Sequence, residues 1–140
     1  MTAFDLERFV SAQGDVYPQA LAELRAGAKQ SHWMWFVFPQ LAGLGASPMA
    51  VRYAIRSEEE AKAYLAHPVL GARLRASVAA MLAHKGRRPE AILGGVDALK
   101  FRSSLTLFER AAGEPSPFAA ALDAFYDGER DQRTLELLGR

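Results

Sequence analysis

Cysteine is absent from the 140 residues of this chain. Disulfide bonds, thiolate catalysis and zinc sites with thiolate ligands are therefore excluded. No apolar run approaches the roughly 20 residues that a membrane helix requires. The first residues carry acidic side chains where a secretory signal would carry basic ones. We therefore expect a cytoplasmic protein that does not bind membranes.

An excess of charge of either sign is also missing. The formal net charge is +1, and 24% of the residues are charged while 50% are hydrophobic, which is typical of a globular domain. Because so small a net charge produces no long-range field, the composition argues against nucleic acid as a partner. The spacing of His32, His67 and His84 does not fit a metal site. We expect neither a metal nor a cofactor, and the oligomeric state stays open.

Glycine and proline occur in short groups, none of which is long enough for a linker between domains. Between these groups the apolar residues recur at helical spacing. The sequence therefore predicts one mainly α domain over residues 1–140, a compact multi-helix fold with one short irregular or extended aromatic segment. Pro68 should end a helix near His67, since proline disfavours helical geometry in the residue before it. The predicted N-terminal caps are Asp15, Ser57, Asp97, Ser116 and Asp131.

The segment Lys29–Gln40, with the sequence KQSHWMWFVFPQ, contains both tryptophans of the chain. Its six consecutive apolar residues, Trp33–Phe38, fit a buried strand or a buried helical turn equally well by periodicity. One interpretation makes the segment part of the core. The other places it on a pocket wall, because indole rings combine a large apolar area with a polar N–H group. The candidate ligand-binding residues here are Lys29, His32, Trp33, Trp35 and Gln40.

A second polar cluster lies on the predicted helix that includes Asp97 to Thr106. Asp97, Lys100 and Ser104 share one helix face by their three- and four-residue spacing, and Ser103 lies beside it. Asp97 and Lys100 are the candidate catalytic residues, with Asp97 transferring a proton, and Ser103 and Ser104 are candidate ligand-binding residues. Lys29, Lys100 and Arg102 could together hold an anionic ligand. Alternatively, Asp97 and Lys100 form an ion pair at the helix start and the serines pack against a neighbour.

Four segments carry a family resemblance: Ser31–Gly45, Tyr53–Ser57, Ala63–Gly71 and Asp97–Phe108. They resemble domain-of-unknown-function family 1810, a bacterial family whose members sometimes carry the label calpastatin, which we regard as a mislabel. The resemblance covers nearly the whole chain and implies a single, mainly helical domain without an established activity. Tyr53, in the second segment, is a further candidate ligand-binding residue. This chain departs from the family pattern at Val96, where a second acidic residue is usual.

Two functions are compatible with these observations. The first is a non-catalytic binding or interaction domain with a protein partner, which predicts an exposed apolar patch including Met34, Leu41, Leu44 and Met49. The alternative is a small-molecule enzyme acting on a nucleotide or an ADP-ribose-type N-glycoside, because the layout is similar to that of NADAR domains. In that enzyme a small anionic or nucleotide-like ligand would stack on Trp33 or Trp35. Asp97 would assist water, and Lys29, Lys100 and Ser103 would hold phosphate or ribose.

Overall fold

Ten helices form the regular structure of residues 4–113 and 116–139, which are the residues that this computed structural model describes. These residues contain no β-strand, only isolated bridges such as that between Leu41 and Ile55. The mainly α prediction is therefore confirmed. The helices are α1 (Glu7–Gln13), α2 (Tyr17–Ala26), α3 (Met34–Val37), α4 (Pro48–Arg52), α5 (Glu58–Ala66), α6 (Leu70–Leu82), α7 (Pro89–Leu93), α8 (Gly95–Ala112), α9 (Pro117–Tyr126) and α10 (Gln132–Leu137).

The 18-residue helix α8 is central to the packing and contacts α5, α7, α9 and α10. Its apolar residues Phe101, Leu105 and Phe108 recur at helical spacing and are almost wholly buried. The Phe101 ring lies 4.7 Å from that of Phe38, measured between centroids, and the Phe108 ring lies 5.3 Å from that of Tyr64. These contacts join α8 to both the aromatic segment and α5. Among the described helices, none has the length and apolar character needed to cross a membrane.

Three of the predicted N-terminal caps are confirmed. The hydroxyl of Ser57 accepts from the Glu60 amide at 3.1 Å, and that of Ser116 accepts from two amides at the start of α9. The carboxylate of Asp131 accepts from the Thr134 amide at 3.1 Å. Each of these side chains satisfies an amide that has no partner within the helix.

The other two predicted caps, Asp15 and Asp97, are wrong. Helix α2 begins at Tyr17, and the preceding residue, Val16, makes no side-chain capping bond. Helix α8 begins at Gly95, because Gly94 adopts a φ of 90°, which favours glycine, and its carbonyl already accepts from the Ala98 amide. Asp97 therefore lies within the first turn of α8, where a carboxylate still interacts favourably with the helix dipole.

The aromatic segment forms a single helical turn, α3, flanked by irregular backbone. Trp33 and Phe38 lie on either side of this turn and are buried, whereas Trp35 is only partly buried. After Pro39 the Gln40 carbonyl accepts from the Ile55 amide at 2.8 Å, and Leu41 forms an isolated bridge with Ile55. The ambiguity between strand and helical turn is thus resolved in favour of the turn. Burial explains the ambiguity, since a segment packed on several sides has no polar face to reveal its period.

Candidate functional site

A buried carboxylate, Glu23 on α2, organises the start of the aromatic segment. It accepts five hydrogen bonds, from the backbone amides of Gln30 and Ser31 and from the side chains of Gln19, Ser31 and Trp33. The Trp33 indole N–H donates to it at 2.9 Å. Left-handed Gly27, with a φ of 72°, ends α2 and turns the chain back toward this carboxylate. Sequence reasoning did not identify Glu23.

Hydrogen bonding sets the charge state of Glu23. Burial alone would raise the pKa of this carboxyl, because it penalises the charged form. The hydrogen bonds from Ser31, Gln19 and the Gln30 amide act in the opposite direction and hold the pKa well below its ordinary value. Glu23 is therefore an anion near neutral pH, and it acts as a fixed acceptor for the loop that follows α2.

Lys29 joins the aromatic segment to α8. Its ammonium lies 2.9 Å from Asp97 Oδ2, donates to the Ser31 carbonyl at 2.7 Å and lies 5.0 Å from the centre of the Trp33 ring. The side chains of Lys29 and Asp97 are only 9% and 19% exposed, so little water competes for this ion pair. The two segments singled out in the sequence are thus in direct contact.

Lys100 approaches the same carboxylate from the next turn of α8. Its ammonium lies 3.8 Å from Asp97 Oδ1, which is longer than a hydrogen bond, and 5.4 Å from the centre of the Trp35 ring. Asp97 therefore lies between two lysines, with Lys29 the closer. Each lysine also lies over an indole face, an arrangement that stabilises a cation.

An open cleft of about 360 Å³ lies between the first turns of α8 and the loop that leads into α4. We call it the α8 cleft. Two of its apolar residues are unusually accessible, since Val96 is 69% exposed and Leu99 is 62% exposed. The lining residues are Gln40, Leu44, Gly45, Ala46, Ser47, Ala50, Val96, Leu99, Lys100, Ser103 and Asp131.

The hydroxyl groups of α8 are used mainly within the helix. Ser103 donates to the Leu99 carbonyl at 3.2 Å and Thr106 donates to the Arg102 carbonyl at 2.8 Å, both four residues earlier. Ser103 also lines the α8 cleft, where its oxygen can only accept because its proton is already donated. Ser104 is buried and does not line the cleft.

Several other candidate residues lie outside the cleft. Trp33 is completely buried and does not line the cleft, and its indole N–H donates to Glu23. Tyr53 is also buried, with its ring 5.3 Å from that of Phe36, and it does not line the cleft. His32 is exposed, but it forms no hydrogen bond or ion pair with the described residues and does not line the cleft.

Of the predicted residues, Gln40, Lys100 and Ser103 line the α8 cleft. The apolar patch predicted around Met34 and Leu41 is wrong, because both side chains are buried. Leu44 does line the cleft, whereas Met49 is partly buried and lies outside it. Within the described ranges, no group of three or more histidine or acidic side chains is arranged to hold a metal ion.

Comparison with known proteins identifies the family to which the chain is similar. Residues 3–138 match the model of a family described as protein of unknown function, DUF1810. A solved structure, that of the conserved hypothetical protein Rv1873 from Mycobacterium tuberculosis, is 52% identical, covers 99% of each chain and gives a TM-score of 0.96. No curated protein matches the chain. The resemblance drawn from the sequence motifs is confirmed.

Proposed function

This chain belongs to the DUF1810 family of proteins of unknown function, and we propose that it is a non-catalytic binding domain whose ligand occupies the α8 cleft. The single observation that carries the proposal is the exposure of Val96 and Leu99, at 69% and 62%, on the wall of that cleft. Apolar side chains grouped at an open concave surface gain free energy when a partner covers them. The cleft volume of about 360 Å³ lies within the range of small-ligand sites.

The ion pairs of Asp97 support binding rather than catalysis. A general base needs a free carboxylate oxygen within hydrogen-bond reach of the proton that it removes. Asp97 Oδ2 is 2.9 Å from the Lys29 ammonium, and Oδ1 faces Lys100 at 3.8 Å. Because its closest contact is the Lys29 ammonium of the aromatic segment, the carboxylate is best suited to hold α8 against that segment.

A thermal-shift screen of chemically diverse fragments tests this proposal. A fragment at 100 times its dissociation constant stabilises the protein by about 2.7 kcal/mol, which raises Tm by several degrees in a chain of this size. We expect fragments that stabilise the parent protein and lose this effect in Leu99→Glu. Val69→Glu is the matched control, because Val69 is exposed but does not line the cleft. Stabilisation that persists in Leu99→Glu would place the binding site elsewhere.

The second candidate function is hydrolysis of an ADP-ribose-type N-glycoside or a related nucleotide. It is favoured by one observation, that a partly exposed carboxylate, Asp97, lies between two ammonium groups that could hold phosphate. The test is release of the free base from nicotinamide and purine N-glycosides. Under the binding proposal neither the parent protein nor Asp97→Asn turns over these compounds. Turnover that is abolished by Asp97→Asn would establish the enzyme instead.

A further inference from the structure

We infer that the α8 cleft selects a small aliphatic carboxylate, with the carboxylate at Lys100 and Gln40 and the hydrocarbon against Val96 and Leu99. This inference rests on the proposed binding function and adds the chemical class of the ligand. It depends on which polar groups of the cleft retain unused hydrogen-bonding capacity. Those groups determine the charge that a ligand must bring.

Lys100 is the cation that lines the cleft, and its hydrogen-bonding capacity is unused. Its nearest carboxylate oxygen, Asp97 Oδ1, is 3.8 Å away, and that carboxylate pairs more closely with Lys29 at 2.9 Å. No residue of the described ranges accepts a hydrogen bond from the Lys100 ammonium. The Lys100 side chain is 26% exposed, and an anion that reaches its ammonium gains a charge-assisted hydrogen bond.

Gln40 provides a second donor in the lining of the cleft. Its backbone carbonyl accepts from the Ile55 amide, but its side-chain amide forms no hydrogen bond with the described residues. In the inferred complex the two oxygens of the carboxylate bind two different side chains, the Lys100 ammonium and the Gln40 amide. Ser103 does not add a donor, since its hydroxyl proton is given to the Leu99 carbonyl.

The anion that lines the cleft, Asp131, has one of its two oxygens engaged in hydrogen bonds. Its Oδ2 accepts from the Thr134 amide and hydroxyl, whereas its Oδ1 lies 3.9 Å from the Arg102 guanidinium, which is longer than a hydrogen bond. A ligand cation therefore gains less at Asp131, which already accepts two hydrogen bonds and faces a guanidinium, than an anion gains at Lys100. The presence of Asp131 and Asp97 also disfavours a doubly charged phosphate, because only one cation, Lys100, has free donors at the cleft. A single negative charge fits best.

The remaining walls define the uncharged part of the ligand. They consist of aliphatic side chains, which include Leu44, Ala50, Val96 and Leu99, and none of the lining residues is aromatic. Nucleobases bind well where an aromatic face is available for stacking, and the α8 cleft presents none. A saturated hydrocarbon matches these walls instead, because its burial against aliphatic side chains needs no directional contact.

The inference is tested by NMR titration of the nitrogen-15-labelled protein at pH 7 with hexanoate and hexanamide. These two probes have the same length and differ in charge. We expect hexanoate to shift the amide resonances of residues 96–103 and 40–50, with a dissociation constant about tenfold lower than that of hexanamide. Lys100→Met should remove this difference by weakening the binding of hexanoate more than that of hexanamide. Lys62→Met, which removes an exposed lysine of α5, should keep the difference.

The outcomes separate this inference from the function on which it rests. Equal binding of hexanoate and hexanamide in the cleft would overturn the choice of a carboxylate and leave the binding function standing. A tenfold preference that survives Lys100→Met would also overturn it. If hexanoate shifts no resonance of the cleft while fragments from the thermal screen do, the ligand class is wrong and the function is retained. If neither hexanoate nor the fragments shift those resonances, both proposals fail.

Discussion

Glu23 is a buried polar residue whose replacement should destabilise the fold. Glu23→Gln replaces one carboxylate oxygen with an amide group that cannot accept, which leaves donors of the Gln30–Trp33 segment without partners. We expect the free energy of unfolding to fall by about 2 kcal/mol or more. Glu136→Gln, at an exposed site on α10, should change it by less than about 0.5 kcal/mol. Urea denaturation of both variants provides the measurement, and equal losses would contradict the assigned role.

The depressed pKa of Glu23 also predicts a dependence of stability on acid. In the unfolded chain this carboxyl takes up a proton near its ordinary pKa of about 4.3, whereas in the folded protein it stays ionised to lower pH. Its stabilising contribution is therefore complete above about pH 5 and is lost as the pH falls below that value. The parent protein should lose unfolding free energy between about pH 5 and pH 3 more steeply than Glu23→Gln. Parallel profiles for the two proteins would show that this carboxyl is not the cause.

The Lys29–Asp97 ion pair can be isolated by a double-mutant cycle with Lys29→Met and Asp97→Asn. Because both side chains are largely buried, we expect a coupling energy of about 1–3 kcal/mol in the free energy of unfolding. The control is the pair of Lys62 and Glu58 on α5, which is 3.6 Å apart and more exposed. Its coupling should be about 0.5 kcal/mol or less. Similar couplings for the two pairs would mean that Lys29 does not join its segment to α8.

Sequence reasoning identified Asp97 with Lys100 but not Glu23, and the reason is physical. Asp97 and Lys100 are three residues apart on one helix, and this spacing brings side chains together whatever the rest of the fold does. Glu23 meets Ser31 and Trp33 only because the chain reverses after α2. Nothing in the helical period of α2 separates such a carboxylate from an ordinary surface acid. Left-handed glycine at position 27 is the one local signal that could have indicated the reversal.

Among the helices, the close approach of α6 to the end of α5 depends on Gly71. A β-carbon added there would lie 2.1 Å from the Leu65 carbonyl oxygen, a backbone atom that cannot move aside alone. Gly71→Ala should therefore lower the unfolding free energy by about 2 kcal/mol or more. At Gly95, in the first turn of α8, an added β-carbon meets nothing within 4 Å, so Gly95→Ala should be neutral or slightly stabilising. Thermal denaturation distinguishes the two, and a tolerated Gly71→Ala would contradict the packing described.

Helix boundaries were predicted well where a cap residue precedes a clear breaker or turn. Ser116 stands directly before Pro117, and Asp131 follows the turn that closes α9, so both caps were recognisable. Asp97 was misplaced because α8 begins two residues earlier, at Gly95, after a glycine whose backbone allows the helix to start there. The Asp15 cap was wrong because α2 begins later, at Tyr17, and its N-cap residue, Val16, forms no side-chain cap. Side-chain capping rules therefore misplace the start of a helix that begins without a side-chain cap.

For the whole molecule, the fold class was predictable and the cleft was not. Helical spacing of apolar residues and the absence of alternating patterns are local properties, and they predict a mainly α chain directly. The α8 cleft instead depends on how the loop after Pro39 lies against α8, which the sequence does not specify. The exposure of Val96 and Leu99 on the helix that buries Phe101 and Leu105 was not predicted from the sequence.

Thiol labelling tests the central claim, that the α8 cleft is the binding site, most directly. Because the chain has no cysteine, Leu99→Cys introduces a unique thiol on the cleft wall, and Val69→Cys introduces one outside it. The measurement is the rate of reaction with a thiol-specific reagent, with and without a saturating concentration of the fragment that raises Tm most. We predict that the fragment slows labelling at position 99 at least about tenfold, by covering the thiol, and leaves position 69 unchanged. Unchanged labelling at position 99 with a stabilising fragment bound would contradict the account.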